Sequence, residues 1–73
     1  MPEIKVVTEI AGRVCSTPVR VGGTVADGDE IVVVEAMKME IPVLSPVSGE
    51  ITSLLVKLDD VVAEGQAIAI VAN

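Results

Sequence analysis

Glu30-Ile31-Val32-Val33-Val34-Glu35-Ala36-Met37-Lys38-Met39-Glu40-Ile41-Pro42-Val43-Leu44 stands near the middle of a 73-residue chain. Its two flanks read as strands, Glu30 to Ala36 and Met39 to Leu44, because β-branched residues suit a pleated, half-buried surface. Pro42 moves the second strand towards an edge or a bulge, since proline cannot donate to a ladder. Only Met37-Lys38 lies between the two. A two-residue hairpin turn needs positive φ and normally takes Asn-Gly, Asp-Gly or a glycine at one centre. Elsewhere the chain uses glycine at turns freely, so this seam breaks a local rule. Such breaks are expected at functional or strained sites. A lysine at that tip stands clear of the protein, with adaptable methionines on either side.

Outward from the seam, the chain repeats itself. Shifted by 37 positions it matches without a gap: Gly12 falls on Gly49, Val19 on Val56, Val25-Ala26 on Val62-Ala63, Gly28 on Gly65, Ile31 on Ile68, Val34 on Val71 and Glu3-Ile4 on Glu40-Ile41. Two copies are too few for a solenoid. They suggest one domain over residues 1–73 with pseudo-twofold symmetry, whose halves interleave around a shared core of Val, Ile and Leu. Seam and termini then fall at opposite ends. The remaining strands are expected at Glu3 to Val7, Arg13 to Thr17, Thr24-Val25, Glu50 to Val56, Val61-Val62 and Ala67 to Val71. Short, regularly spaced strands with turns between them read as an all-β sandwich or barrel. Gly28 and Gly65 supply positive φ in equivalent turns.

Composition removes several function classes. The chain has no His, one Cys and no aromatics, and its net charge is -6. A disulfide framework, a Cys/His zinc site and a Ser–His–Asp centre cannot be built from it. The negative charge and missing aromatics argue against nucleic acid. Short apolar runs argue against a membrane span, and Met1-Pro2-Glu3 lacks a signal-peptide profile. A cytoplasmic setting is expected. No catalytic or metal-binding residue is expected, and a binding, carrier or structural module fits better than an enzyme. Cys15 reads as a small buried residue, and Lys5, Arg13, Arg20 and Lys57 as scattered surface charges. Asp27-Gly28-Asp29-Glu30 reads as a turn with a solvated acidic edge, lacking the ligand spacing of a calcium loop.

The run Glu35-Ala36-Met37-Lys38-Met39-Glu40 resembles the biotin-attachment motif of the biotinyl domain family, the biotin carboxyl carrier proteins. The resemblance extends over essentially the whole chain. It takes in Gly12-Arg13-Val14, Gly49-Glu50-Ile51, the two Val-x-x-Gly-x-x-Ile patterns, and Ser45-Pro46 leading to Gly49. It implies a flattened β-barrel or sandwich of two four-stranded antiparallel sheets, with the modified lysine at a hairpin tip. Because the halves align without a gap, the protruding thumb of some bacterial carriers is not expected.

The resemblance also implies a function. A biotin protein ligase would activate biotin as an adenylate and join it to Lys38. The ring would be carboxylated at a biotin carboxylase, with ATP and bicarbonate. It would pass the carboxyl group on at a carboxyltransferase, to an acyl-CoA or a keto acid. Ala36, Met37 and Met39 would meet the partner enzymes, with Glu35 beside them as a flanking recognition residue, although Glu35 and Glu40 read first as solvated strand-end carboxylates. Lipoyl domains share the fold but typically carry Asp-Lys-Ala at the turn, so Met-Lys-Met favours biotin. A lipoyl-type acyl carrier and an unmodified interaction module are the alternatives. A free-standing carrier and a domain of a longer carboxylase both fit the chain.

Overall fold

The computed structural model describes residues 2–73. Eight strands follow one another: β1 (Glu3–Val7), β2 (Gly12–Ser16), β3 (Thr24–Val25), β4 (Glu30–Ala36), β5 (Met39–Leu44), β6 (Gly49–Leu54), β7 (Val61–Val62) and β8 (Ala67–Ala72). No helix occurs among the described residues. The strands form two antiparallel four-stranded sheets, ordered β1-β8-β6-β3 and β5-β4-β2-β7. Each sheet draws two strands from each half of the chain, as the repeat predicts. The sheets stay open, so the architecture is a sandwich rather than a closed barrel.

Five strands have the expected ends, and the others differ by one or two residues. Strand β6 stops at Leu54 rather than Val56. Beyond it Leu55 N–H still bonds the Ile68 carbonyl at 2.9 Å, and Val56 turns into the core. Strand β5 is an edge strand, which accommodates Pro42.

The core between the sheets is Val6, Val14, Val25, Ile31, Val32, Val34, Val43, Ile51, Val56, Val62, Ile68, Ala69 and Val71. It contains no leucine, which corrects the expected Val, Ile and Leu mixture. Leu44, Leu55 and Leu58 are exposed, and Leu54 packs only at the margin. Compact β-branched side chains fill the layer between short strands, where they suit the pleated surface.

Cys15 is also corrected: it is half-buried. It sits where the β2–β4 register shifts, between Val14 and Ser16, and its thiol donates to the Val33 carbonyl at 3.4 Å. Thr52, 37 residues on, sits in the equivalent shift between Ile51 and Ser53 and donates to the Ile70 carbonyl. Both are bulge residues, and a bulge takes one side chain out of the core alternation.

Two buried hydroxyls mark the loops that cross between sheets. Thr8 and Ser45 are equivalent by the repeat and almost wholly enclosed. Thr8 Oγ1 donates to the Ile10 carbonyl at 2.7 Å and accepts from the Ile10 N–H at 3.2 Å. Ser45 makes the same pair with Val47, at 2.6 and 3.4 Å. Their carbonyls accept from Gly65 and Gly28, both at positive φ. Replacing Thr8 by Val keeps the shape but strands the Ile10 backbone groups. Denaturant titration should show a loss of about 1–3 kcal/mol.

This frame places the seam. Strand β5 runs away from Met39, and after a four-residue connection the chain starts β6, whose Glu50 pairs with Ala72 beside the termini. The β4–β5 tip and the termini therefore lie at opposite ends of the sandwich. At the terminal end Asn73 N–H bonds the Pro2 carbonyl at 3.0 Å, the equivalent of the Ala36–Met39 pair.

Candidate functional site

Strand β4 is flanked by β5 and β2, so the tip hairpin has a firm base. Its rungs run Val33 with Pro42, Val34 with Ile41, Glu35 with Glu40 and Ala36 with Met39. Between Ala36 and Met39 the chain reverses in two residues. Met37 has φ 52° and Lys38 φ 65°. Positive φ at both centres makes this a type I′ turn, whose twist matches that of the strands. Each non-glycine residue there costs about 1–2 kcal/mol. The sequence conflict at the seam is thus a real strain held by the hairpin beneath it.

The turn carries its side chains outward. Met37 is 93% exposed and Met39 63%. Lys38 is exposed and has no ion-pair partner among the described residues. Ala36 is half-buried at the strand end, paired with Met39. All six residues of the motif are therefore gathered at one end of the molecule. Two surface hollows lie elsewhere, one between β1 and β5 and one around Thr17 to Thr24. The amine is presented in the open.

One rung below the turn is a charged row. Across the sheet, Glu40 on β5 faces Glu35 on β4, which faces Arg13 on β2, which faces Val61 on β7. Arg13 Nη2 donates to Glu35 Oε1 at 2.7 Å, and Nη1 donates to Asp59 Oδ1 at 2.5 Å. Glu35, then Asp59, raise the Arg13 pKa above its already high ordinary value, so the guanidinium is a fixed cation. Glu35 is therefore a paired carboxylate rather than a freely solvated one. Arg13 is likewise not a scattered charge. Nothing local marked Arg13 or Asp59, which lie 25 residues before and 21 after Lys38. The one available signal was their departure from the repeat, where Glu50 and Gly22 occupy the equivalent positions.

Gly12 allows this row to form. A Cβ there would collide with the Glu35 carbonyl oxygen and with Val34 Cγ1 at 2.7 Å. Gly49 approaches Ala72 in the same way at the other end. The repeated Gly12/Gly49 match is thus a close-packing requirement.

Comparisons with known proteins agree with this fold. In solved structures, the chain resembles part of the urea carboxylase of Kluyveromyces lactis, with 30% identity over 99% of this chain and a TM-score of 0.92. It also resembles part of a single-chain, multi-domain long-chain acyl-CoA carboxylase, with 28% identity over 93% of this chain and a TM-score of 0.87. It spans only 6% and 7% of those two chains. A truncated AcrA from Campylobacter jejuni shares the fold at 15% identity, covering 96% of this chain and 86% of that one, with a TM-score of 0.83. No curated protein sequence matches. The profile of the Biotin_lipoyl family, described as "Biotin-requiring enzyme", matches residues 1–71. With nearly the whole chain matched, it belongs to the biotin-requiring, biotin/lipoyl domain family.

Proposed function

We propose that this chain is a biotin carboxyl carrier, with biotin joined through an amide to Nζ of Lys38. The observation that carries the reading is the turn: a Met-Lys pair sits at positive φ where Asn-Gly would be unstrained. It does so within a fold similar to part of two carboxylases.

The residues present fit a covalently held group. The Lys38 amine is exposed, without a described ion-pair partner, on a turn fixed by flanking strands. In its neutral form it can attack a carboxyl carbon that a biotin protein ligase has activated. The C–N bond forms, the activating group leaves, and the amine proton passes to solvent. Lys38 thereby loses its charge, making the chain one unit more negative than -6. Once attached, biotin supplies a ring that takes up a carboxyl group at one site and yields it at another. The protein then keeps the base of the arm still, while Met37 and Met39 offer adaptable apolar contact to each partner. Tethering gives a high effective concentration at both sites. The partners proposed are a biotin carboxylase and a carboxyltransferase of an acyl-CoA carboxylase type, in the cytoplasm.

The test is intact mass after incubation with a biotin protein ligase, biotin and ATP. A gain of one biotinyl group is expected. A folded chain that gains nothing overturns the reading, and a gain of lipoate with a lipoate ligase instead moves it to the acyl carriers.

A further inference from the structure

The pseudo-twofold symmetry supplies an internal control for the tip. Backbone contacts are duplicated faithfully between the two ends. Asp59 N–H bonds the Val14 carbonyl at 2.8 Å, and Gly22 N–H bonds the equivalent Ile51 carbonyl at 2.8 Å. Val14 N–H bonds the Asp60 carbonyl, and Ile51 N–H bonds that of Gly23, again at 2.8 Å in each case. Against this identical frame, three side chains differ and meet one another. Arg13 stands where the other half has Glu50, Glu35 where it has Ala72, and Asp59 where it has Gly22. The cluster exists only at the end that carries Lys38.

Backbone conformation sharpens the contrast. Asp59 has φ 74°, and its counterpart Gly22 has φ 90°. Glycine takes that conformation freely, and aspartate takes it under strain. A strained residue stands where the other half has an unstrained one, and its carboxylate receives Arg13. The gain is not general stability, because exposed ion pairs contribute little. What Arg13 does locally is specific. Glu35 lies directly opposite Glu40, and like charges so placed repel. Arg13 offsets that repulsion and ties β4, three residues before Lys38, to the loop between β6 and β7.

We propose that Arg13 is a positioning residue for modification of Lys38, its two-carboxylate clamp giving the outer face beside the turn the one arrangement a ligase reads. This rests on the attachment reading above. Glu35 is held by the clamp, Glu40 is left without an ion-pair partner among the described residues, and Val61, 80% exposed, borders Arg13 on the next strand. A docking protein meets a fixed pattern of charge and apolar surface around the amine.

The experiment uses the full chain. Initial rates of biotin transfer by a biotin protein ligase are measured against carrier concentration for wild type, Arg13→Ala, Arg13→Lys, Asp59→Gly and, as the equivalent change at the far end, Glu50→Ala. Melting temperatures are taken for each. In Arg13→Ala and Asp59→Gly, KM should rise about three- to fivefold with kcat nearly unchanged, the scale of losing one exposed, oriented ion pair. Arg13→Lys, which keeps the charge without the fork, should fall between, and Glu50→Ala should match wild type. Asp59→Gly is decisive, because relieving the positive φ should hold or raise its melting temperature while KM still rises. A structural role cannot give that combination. Amide shifts of Met37 to Glu40 should move in Arg13→Ala, independent of any biotin. Unchanged KM in both variants overturns the proposal, as does a KM rise confined to variants that melt earlier. A wild-type chain that takes no biotin overturns the attachment reading itself, and this inference with it.

Discussion

Replacing Lys38 with glycine should abolish biotin incorporation and make the chain more stable. The two effects have one cause. Lys38 sits at φ 65° in a type I′ turn, where glycine is the preferred residue. Relieving the left-handed conformation should raise the unfolding free energy by about 1 kcal/mol. Lys5 on β1 and Lys57 in the loop after β6 are not presented on this turn, so neither is expected to take its place. Intact mass should show no biotinyl group after treatment with ligase, biotin and ATP, while thermal melting moves upward. Lys38→Arg separates the two terms: it keeps the strain, loses the nucleophile, and should melt like wild type with no mass gain. Biotin on Lys38→Arg would place the attachment elsewhere. A Lys38→Gly chain that melts earlier would show that the turn is not strained as its angles indicate.

The second large effect concerns the core. Ile51 is fully buried on β6, between β8 and β3, and its N–H and carbonyl bind Gly23 and Gly22. Ile51→Ala removes three carbons from a layer with no aromatic side chain to collapse into the space. The expected loss is about 2–5 kcal/mol. Small domains sit at the lower end of the ~5–15 kcal/mol range of native stability, so much of that stability is removed. The melting temperature should fall by about 10 °C or more. Leu55→Ala, four positions on at a half-exposed site, should stay within about 0.5 kcal/mol of wild type. Equal losses at the two positions would contradict the division of roles between β-branched core and exposed leucines.

Much of the fold was legible in the chain because its signals are local or repeated. The Met37-Lys38 turn lies between two strands adjacent in sequence, so a two-residue connection leaves only hairpin geometry. The 37-residue repeat makes each weak strand signal count twice, and it brought the interleaved halves into view before any pairing was known. Cys15 was misread for a physical reason. Burial was expected from a small residue type within a strand, and the bulge at Val14/Ser16 makes Cys15 the extra residue instead. Nothing in the sequence singles out Thr8. Only the crossing loops show that its hydroxyl is enclosed and must hold the Ile10 backbone.

By itself the sequence determined the all-β class, the two equivalent halves, the turn conflict at Met37-Lys38 and the resemblance to a biotin-attachment motif. Each of these is written in neighbouring residues or in a fixed interval. The tertiary structure decided what surrounds the lysine. Arg13, Glu35 and Asp59 are separated by 22 and 24 residues along the chain, and no local rule links them. They meet because β2 pairs with β4, and because the loop after β6 bonds back to Val14. Ionic contacts depend on distance in space. That distance is set only when strands from both halves have been folded into one sheet.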